Sequence, residues 1–91
     1  MTKHVNIIAE GSVQGVFFRE STLDMARELS IFGFILNQPD GSVFIEAEGE
    51  ETAIEQFIHW CKDGPPDATV QKFTVTEGNL KGFTEFEIHS V

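Results

Sequence analysis

The hydrophobic patterns along the chain follow an order that few folds can accommodate. Five segments have the alternation or the β-branched composition of half-buried strands, and they span residues 3–11, 31–37, 42–48, 69–76 and 83–88. A first helix is predicted after the first strand, because Thr22, Met25, Ala26 and Leu29 follow one another at the spacing of a helix face. A second helix is predicted over residues 50–62, where an acidic start precedes apolar residues at the same spacing.

The connections between these segments indicate how the strands pair. Gln38-Pro39-Asp40-Gly41 is a turn sequence, so the second and third strands are predicted to form a hairpin. The order βαββαβ, followed by a short last strand, resembles the split βαβ arrangement of ferredoxin-like folds. We therefore expect an α+β fold, a ferredoxin-like α/β sandwich with two helices on one face of an antiparallel sheet. No linker or repeat interrupts the pattern, and residues 1–91 are predicted to form a single domain.

Composition and charge disfavour several classes of function. The formal net charge of −9 opposes binding to nucleic acid or to an anionic membrane, because both draw affinity from clustered Lys and Arg. No stretch approaches the roughly 18 to 20 apolar residues that span a bilayer, and the N-terminus does not resemble a secretory signal. The single cysteine, Cys61, allows neither an intramolecular disulfide nor a cysteine zinc cluster. These features predict a cytoplasmic protein whose anionic ligands, if any, are held by strong local donors.

The connection between the first strand and the first helix has the features of an anion-binding loop. It reads Gly11-Ser12-Val13-Gln14-Gly15-Val16-Phe17-Phe18-Arg19. Glycines let successive N–H groups turn toward one point, and a helix N-terminus adds unpaired donors and the positive end of its dipole. The guanidinium of Arg19 is a planar fork that can hold two phosphate oxygens. From residue types and spacing alone, a plain tight turn followed by a solvated arginine stays open as an alternative.

Two motifs carry a resemblance to a known family. The loop is similar to the acylphosphatase signature Gly-x-Val-Gln-Gly-Val-x-Phe-Arg at every fixed position. A second acylphosphatase signature is similar to residues 33–49, where its glycines, asparagine and valine fall on Gly33, Asn37, Gly41, Val43 and Gly49. Residues 64–70 and the last predicted strand also resemble the family, so the resemblance covers nearly the whole chain.

The resemblance implies a function and a set of site residues. Acylphosphatases hydrolyse acyl phosphates to a carboxylate and inorganic phosphate, so we expect a metal-independent hydrolase without a cofactor. Its partner would be a small-molecule acyl phosphate, and we expect a monomer. Arg19 and Asn37 are the expected catalytic residues, with Asn37 holding the attacking water through its carboxamide. The expected phosphate-binding residues are Val13, Gln14, Gly15, Val16, Phe17, Phe18 and Arg19.

Alternatives to these assignments remain at this point. On sequence alone, Asn37 is equally suited to capping the turn that follows it. A non-enzymatic ferredoxin-like module, which binds an anion or a protein through the same loop, is the main alternative to an enzyme, because this fold hosts many functions. An acyl phosphate expels a carboxylate, which leaves without being protonated, so the absence of an obvious general acid does not disfavour the enzyme.

Other chemically reactive residues are expected to be structural. His4, His59 and His89 lie on three different elements without metal-ligand spacing, and we expect them at the surface or at an edge. Cys61 is expected to be a buried, inert thiol. Trp60 and the phenylalanines at helical and strand spacings are expected in or near the core and not as a stacking platform, since no basic residues alternate with them.

A run of four acidic residues is expected to be a solvated face and not a cation site. It consists of Glu46, Glu48, Glu50 and Glu51.

Three positions depart from the family pattern. Ile35 and Leu36 stand where the family has a smaller aliphatic residue and often a basic one, and we expect effects on packing or substrate affinity. Ser30 stands where the family usually has a helix-ending glycine, which we expect to lower stability slightly.

Overall fold

The structure is a computed structural model, and it describes residues 1–90. The predicted order of elements is confirmed, with the largest boundary change at the start of the last strand. The elements are β1 (Thr2–Ser12), α1 (Phe18–Glu28), β2 (Phe32–Asn37), β3 (Val43–Glu50), α2 (Glu51–Asp63), β4 (Thr69–Gly78) and β5 (Phe86–His89).

The strands form one five-stranded sheet in the order β4-β1-β3-β2-β5. β1 pairs antiparallel with β3 and β4, and β2 pairs antiparallel with β3. β5 lies parallel to β2, so the added last strand makes the sheet mixed. The ferredoxin-like α+β arrangement expected from the sequence is present. β1 and β2 both pair with β3 and lie on either side of it. The ends of these two strands are therefore near each other, although the two strands do not pair.

Both helices pack against one face of the sheet and enclose the core. α1 lies over β2 and β5, whereas α2 lies over β1, β3 and β4. The alternation predicted for β1 is confirmed, since Val5, Ile7 and Ala9 are buried on the helix side. The thiol of Cys61 is buried as expected, and Trp60 is partly buried against the same core. Gly33 has φ of 144°, and a Cβ there would collide with the carbonyl of Glu46, so the pairing of β2 with β3 requires glycine.

The outer face of the sheet contains a cluster of three buried titratable residues and one exposed lysine, which we call the outer-face cluster. It consists of His4, Glu46, Glu48 and Lys81. His4 is only 2% exposed, with Nδ1 2.7 Å from Oε2 of Glu48 and Nε2 3.2 Å from Oε1 of Glu46. Nζ of Lys81 lies 2.7 Å from the same Glu46 oxygen.

The segment between β4 and β5 covers this cluster. Glu48 accepts hydrogen bonds from the backbone N–H groups of Lys81, Gly82 and Phe83, and the Phe83 ring stacks near His4 with centroids 6.0 Å apart. The expectation of a surface or edge position was therefore wrong for His4, because this segment folds across the outer face.

The expectation of a solvated acidic face was wrong for Glu46 and Glu48, which are 8% and 4% exposed. It holds for Glu50 and Glu51, whose side chains are exposed. His59 and His89 are exposed as expected. Alternation places Glu46 and Glu48 on the outer face correctly, but only the tertiary path of the segment before β5 removes them from solvent.

Candidate active site

The β1–α1 loop and the end of β2 enclose a small cavity. Its volume is about 150 Å³, which is enough for several water molecules. A cavity of this size suits a small group such as a phosphoryl group. The residues that line it are Val13, Gly15, Phe17, Phe18, Arg19, Glu20 and Asn37.

The backbone of the loop is bent by two residues in the left-handed region. Gly15 has φ of 73°, where glycine meets no strain and its α-carbon has open space around it. Phe17 has φ of 61° and is 70% exposed. A left-handed bulky residue is strained, and such strain is concentrated at functional sites.

The same segment carries backbone donors without a partner. Phe17 is the N-cap of α1 and gives no side-chain hydrogen bond to the helix. Within residues 1–90, none of the backbone N–H groups of residues 15–20 donates a hydrogen bond. Free N–H groups and the positive end of the helix dipole make this segment suited to an anion.

Arg19 lies in the first turn of α1 and is half-buried at the cavity. Within residues 1–90 its guanidinium has no carboxylate at ion-pair distance. An arginine with its charge uncompensated in a cavity is available to an anionic ligand. The next residue, Glu20, also lines the cavity and was not predicted as a site residue. The only sequence signal for Glu20 is its position beside Arg19 in the first helical turn.

Asn37 is the last residue of β2 and reaches the cavity from the opposite side of β3. Val43 of β3 pairs with both Asn37 and Ala9, so the end of β2 lies two strands from the end of β1. The Asn37 Oδ1 is buried and has no hydrogen-bond partner in the part of the chain that the structure describes. A buried polar atom without a partner is unusual and points to a missing water or ligand.

The turn after Asn37 is capped by Asp40 and not by Asn37. Oδ1 of Asp40 accepts the backbone N–H of Ser42 at 2.9 Å and lies 2.6 Å from the Ser42 hydroxyl. The Ser42 hydroxyl, followed by the Ser42 N–H, lowers the pKa of the exposed Asp40 carboxyl. The alternative role of Asn37 as a turn cap therefore has no support in the geometry.

Two of the seven predicted loop residues do not line the cavity. Val16 is partly buried and packs against the core, whereas the side chain of Gln14 points away to the β2–β3 turn and bonds there. Two of the three departures from the family pattern, Ile35 and Leu36, also lie outside the cavity lining. Ile35 is fully buried in the core, and Leu36 is absent from the lining, so neither touches a ligand held there.

The remaining reactive groups do not add to this site. Burial raises the pKa of the Cys61 thiol far above its ordinary value, so it stays protonated and unreactive at neutral pH. Within the described part of the chain, no three His, Cys, Asp or Glu side chains are grouped to hold a metal ion. No helix within residues 1–90 is both long and apolar enough to span a bilayer.

Comparison with known proteins identifies the family. The acylphosphatase family model matches residues 5–88 of the chain. The chain belongs to the acylphosphatase family. It is 43% identical over 86 residues to an acylphosphatase of Thermotoga petrophila, an alignment that covers 94% of this chain and 96% of that one. An acylphosphatase of Rubrobacter xylanophilus is also 43% identical over 86 residues, covering 90% and 78% of the two chains.

A solved structure agrees with this assignment. The crystal structure of acylphosphatase from Bacillus subtilis superposes with a TM-score of 0.93 at 38% identity, and the match covers 98% of this chain and 99% of that one. Family membership is confirmed over nearly the whole chain. Within this acylphosphatase fold, the cavity beside Arg19 and Asn37 is the place where the loop and the end of β2 meet.

Proposed function

We propose that this acylphosphatase hydrolyses acyl phosphates to a carboxylate and inorganic phosphate in the cavity between the β1–α1 loop and β2. Arg19 and the main chain of the loop hold the phosphoryl group, and Asn37 positions the attacking water. The proposed phosphate-binding residues are Val13, Gln14, Gly15, Val16, Phe17, Phe18 and Arg19. The observation that carries the proposal is a cavity lined by both Arg19, which has no ion-pair partner within residues 1–90, and Asn37.

Phosphoryl transfer needs charge stabilisation on the equatorial oxygens more than it needs covalent chemistry. The free backbone N–H groups of the loop supply donors that are fixed before the substrate arrives, which avoids reorganisation during the reaction. Arg19 adds a permanent positive charge with two parallel donors. These groups bind the phosphoryl group in the ground state and bind it more strongly as charge develops.

Asn37 supplies the placement of the nucleophile. Its buried Oδ1 has no partner within the described chain, and a water at the cavity would satisfy it while facing the phosphorus. Aligning the water with the leaving oxygen replaces a bimolecular encounter by a nearly unimolecular one. The leaving carboxylate needs no proton, and we propose that a phosphate oxygen of the substrate accepts the proton of the water.

We also propose the cellular setting. The enzyme acts as a single domain over residues 1–91, as a monomer in the cytoplasm, without a metal ion or cofactor and without a nucleic-acid partner. The net charge of −9 supports the last point, because it opposes a polyanionic ligand. Sedimentation of the purified protein tests the monomer directly.

Turnover of a simple acyl phosphate tests the proposed function. Purified protein is mixed with benzoyl phosphate in the presence of a chelator, and loss of substrate is followed against a protein-free control. We expect turnover that the chelator does not reduce. Phosphate binding without turnover would instead support the alternative of an anion-binding module.

The first prediction concerns Arg19. Arg19→Ala removes the guanidinium from the cavity, so substrate binding and rate should fall together, with kcat/KM lower by about 10³-fold. Arg19→Lys keeps the charge but not the two parallel donors, so it should recover only part of the loss. Steady-state kinetics measure both variants, and an Arg19→Lys enzyme with full activity would contradict the two-donor role.

The second prediction concerns Asn37. Asn37→Ala removes the group that places the water but leaves the phosphate donors intact. We expect kcat to fall by about 10²-fold while the inhibition constant of inorganic phosphate changes by less than about two-fold. An equal loss of phosphate affinity and rate would show that Asn37 holds phosphate instead of water.

A further inference from the structure

The side chain of Gln14 joins the phosphate loop to the turn that follows Asn37. Its Nε2 donates to the carbonyl oxygens of Gln38 and Ser42, each at 2.9 Å. Both neighbours are backbone carbonyls, which only accept hydrogen bonds, so the amide nitrogen and not the amide oxygen must face them. The two N–H bonds of one side-chain amide are therefore both used in this bridge.

The bridge connects two segments that the sheet does not pair. The loop follows β1, and Asn37 ends β2, but β3 lies between these strands. Within residues 1–90, the two Gln14 bonds are the hydrogen bonds that join residues 13–19 to residues 37–42. The relative position of the loop and Asn37 thus depends on the shared neighbour β3, on packing, and on this one side chain.

The two carbonyls that accept from Gln14 also hold the turn together. The Gln38 carbonyl accepts the N–H of Gly41 at 3.0 Å, and the Ser42 carbonyl accepts the N–H of Gln38 at 2.8 Å. Gln14 is a second donor to each of these two carbonyl oxygens. Because Gln38 directly follows Asn37, fixing the Gln38 carbonyl also limits rotation of the peptide next to the water-holding residue.

We propose that Gln14 is a positioning residue, whose side-chain amide sets the distance between the phosphate held by the loop and the water held by Asn37. The inference rests on the function proposed above. Catalysis by placement is sensitive to small displacements, since a 1 Å error in geometry can cost about 10²-fold in rate. Gln14 would then act on kcat through Asn37 without contributing its side chain to phosphate affinity.

Gln14→Met tests this proposal, because methionine has a similar length and no donor. We expect kcat to fall by about ten-fold, with the inhibition constant of phosphate within about two-fold of the parent enzyme. Gln56→Met on the exposed face of α2 is the matched control and should leave both constants unchanged. Unchanged kcat in Gln14→Met, or a loss of phosphate affinity as large as the loss of kcat, would overturn the proposal.

A double-mutant cycle separates positioning from general damage. If Gln14 acts through Asn37, Gln14→Met should lower kcat no further in the Asn37→Ala background. An equal loss in both backgrounds would overturn the proposal. If Asn37→Ala lowers kcat and Gln14→Met does not, only the role of Gln14 fails. Full activity of Asn37→Ala would refute the water-holding role of Asn37, and with it this inference, while hydrolysis itself would stand.

The mobility of the Asn37 side chain tests the proposal without measuring turnover. The order parameter of the Asn37 side-chain amide, measured by NMR relaxation, should decrease in Gln14→Met and not in Gln56→Met.

Gln14→Glu serves as a second variant should Gln14→Met not fold. Its carboxylate repels both carbonyls but donates one bond when protonated, so its kcat relative to the parent enzyme should rise from pH 7 to pH 5. An unchanged order parameter, or a flat pH ratio, would overturn the proposal.

Discussion

Ser30 is the residue at which the sequence and the backbone conflict most directly. It has φ of 57° and follows the C-cap of α1, where its N–H donates to the carbonyl of Arg27 at 3.3 Å. The N–H of Ile31 donates to the carbonyl of Ala26 at 2.7 Å, which completes a Schellman motif. The residue directly after the C-cap, here Ser30, is left-handed in this motif and is usually glycine.

The third prediction follows from that conflict. Ser30→Gly removes the left-handed strain, which costs roughly 1 to 2 kcal/mol, but increases the entropy of the unfolded chain by up to about 1 kcal/mol. The net gain should be about 0.5 kcal/mol, which raises Tm by about 2 to 4 °C in a domain of this size. Thermal unfolding measures it. Ser30→Ala is the control, since it keeps the Cβ and should not stabilise, and equal stabilisation by both variants would contradict the strain argument.

Residues that line the cavity were predictable from the sequence when they belong to a motif, whereas their catalytic roles stay predictions. Arg19 and Asn37 were predicted from their motifs, and both line one cavity. Gln14 was named for the phosphate loop, but the path of its side chain to the Gln38 carbonyl depends on how the β2–β3 turn approaches the loop. Glu20 was missed, because an acid in a first helical turn is ordinary from the sequence.

At the scale of elements, Glu46 and Glu48 of β3 hold the segment before β5 across the sheet, and Glu48 accepts most of the hydrogen bonds. Glu48 of β3 accepts three backbone N–H bonds from residues 81–83 and contacts His4. Burial alone would raise the pKa of this carboxyl, but the bonds from Lys81, His4, Phe83 and Gly82 outweigh burial and lower it. The charged form of Glu48 is therefore favoured in the folded state.

The fourth prediction is the pH dependence of the stability that the Glu48 carboxylate contributes. A lowered folded pKa contributes stability above the ordinary glutamate pKa of about 4.3, and that stability is lost as the pH falls through the lower folded pKa. Glu48→Gln should destabilise the protein by about 2 kcal/mol at pH 7 and less at low pH, where the parent carboxyl is also neutral. Urea unfolding from pH 7 to pH 3 measures this difference.

The matched control for that experiment is Glu55→Gln on the exposed face of α2. Both substitutions remove one negative charge, so a general effect of net charge should appear in both. A destabilisation of Glu48→Gln that stays constant down to pH 3, or one equal to that of Glu55→Gln, would refute the role of the charged carboxylate.

The elements themselves were predictable because each has its own local pattern. The alternation of β1 and the helical spacing of α2 identify their buried faces, and the structure confirms both. The outer-face cluster was not predictable in the same way. Alternation assigns His4 and Glu48 to the face away from the helices, and nothing local indicates that residues 81–83 cross that face. Burial of a polar position on an open sheet face is decided by tertiary contacts.

At the scale of the whole molecule, the enzyme must bind an anion against its own charge. The chain carries 15 acidic side chains and 6 lysines and arginines, for a net charge of −9. The described residues extend over 33 × 24 × 21 Å. At an ionic strength of about 0.01 M the Debye length is about 30 Å, so most carboxylates lie within one Debye length of the cavity. The attraction of Arg19 acts at contact distance, whereas the repulsion is spread over the molecule.

The fifth prediction follows from the difference between the short-range attraction of Arg19 and the long-range repulsion of the carboxylates. Raising the ionic strength from about 0.01 to 0.1 M shortens the Debye length from about 30 to about 10 Å, which screens distant carboxylates more than it screens Arg19 at contact. We therefore expect kcat/KM for an anionic acyl phosphate to rise by about two- to three-fold, and the rise should be smaller in Glu55→Lys, which reduces the net charge without altering the cavity lining. Steady-state kinetics in potassium chloride and in potassium glutamate separate screening from competition, since an anion that competes for the loop lowers kcat/KM. A fall in kcat/KM with both salts would show that local attraction at the cavity dominates, and that the acidic surface does not limit capture of the substrate.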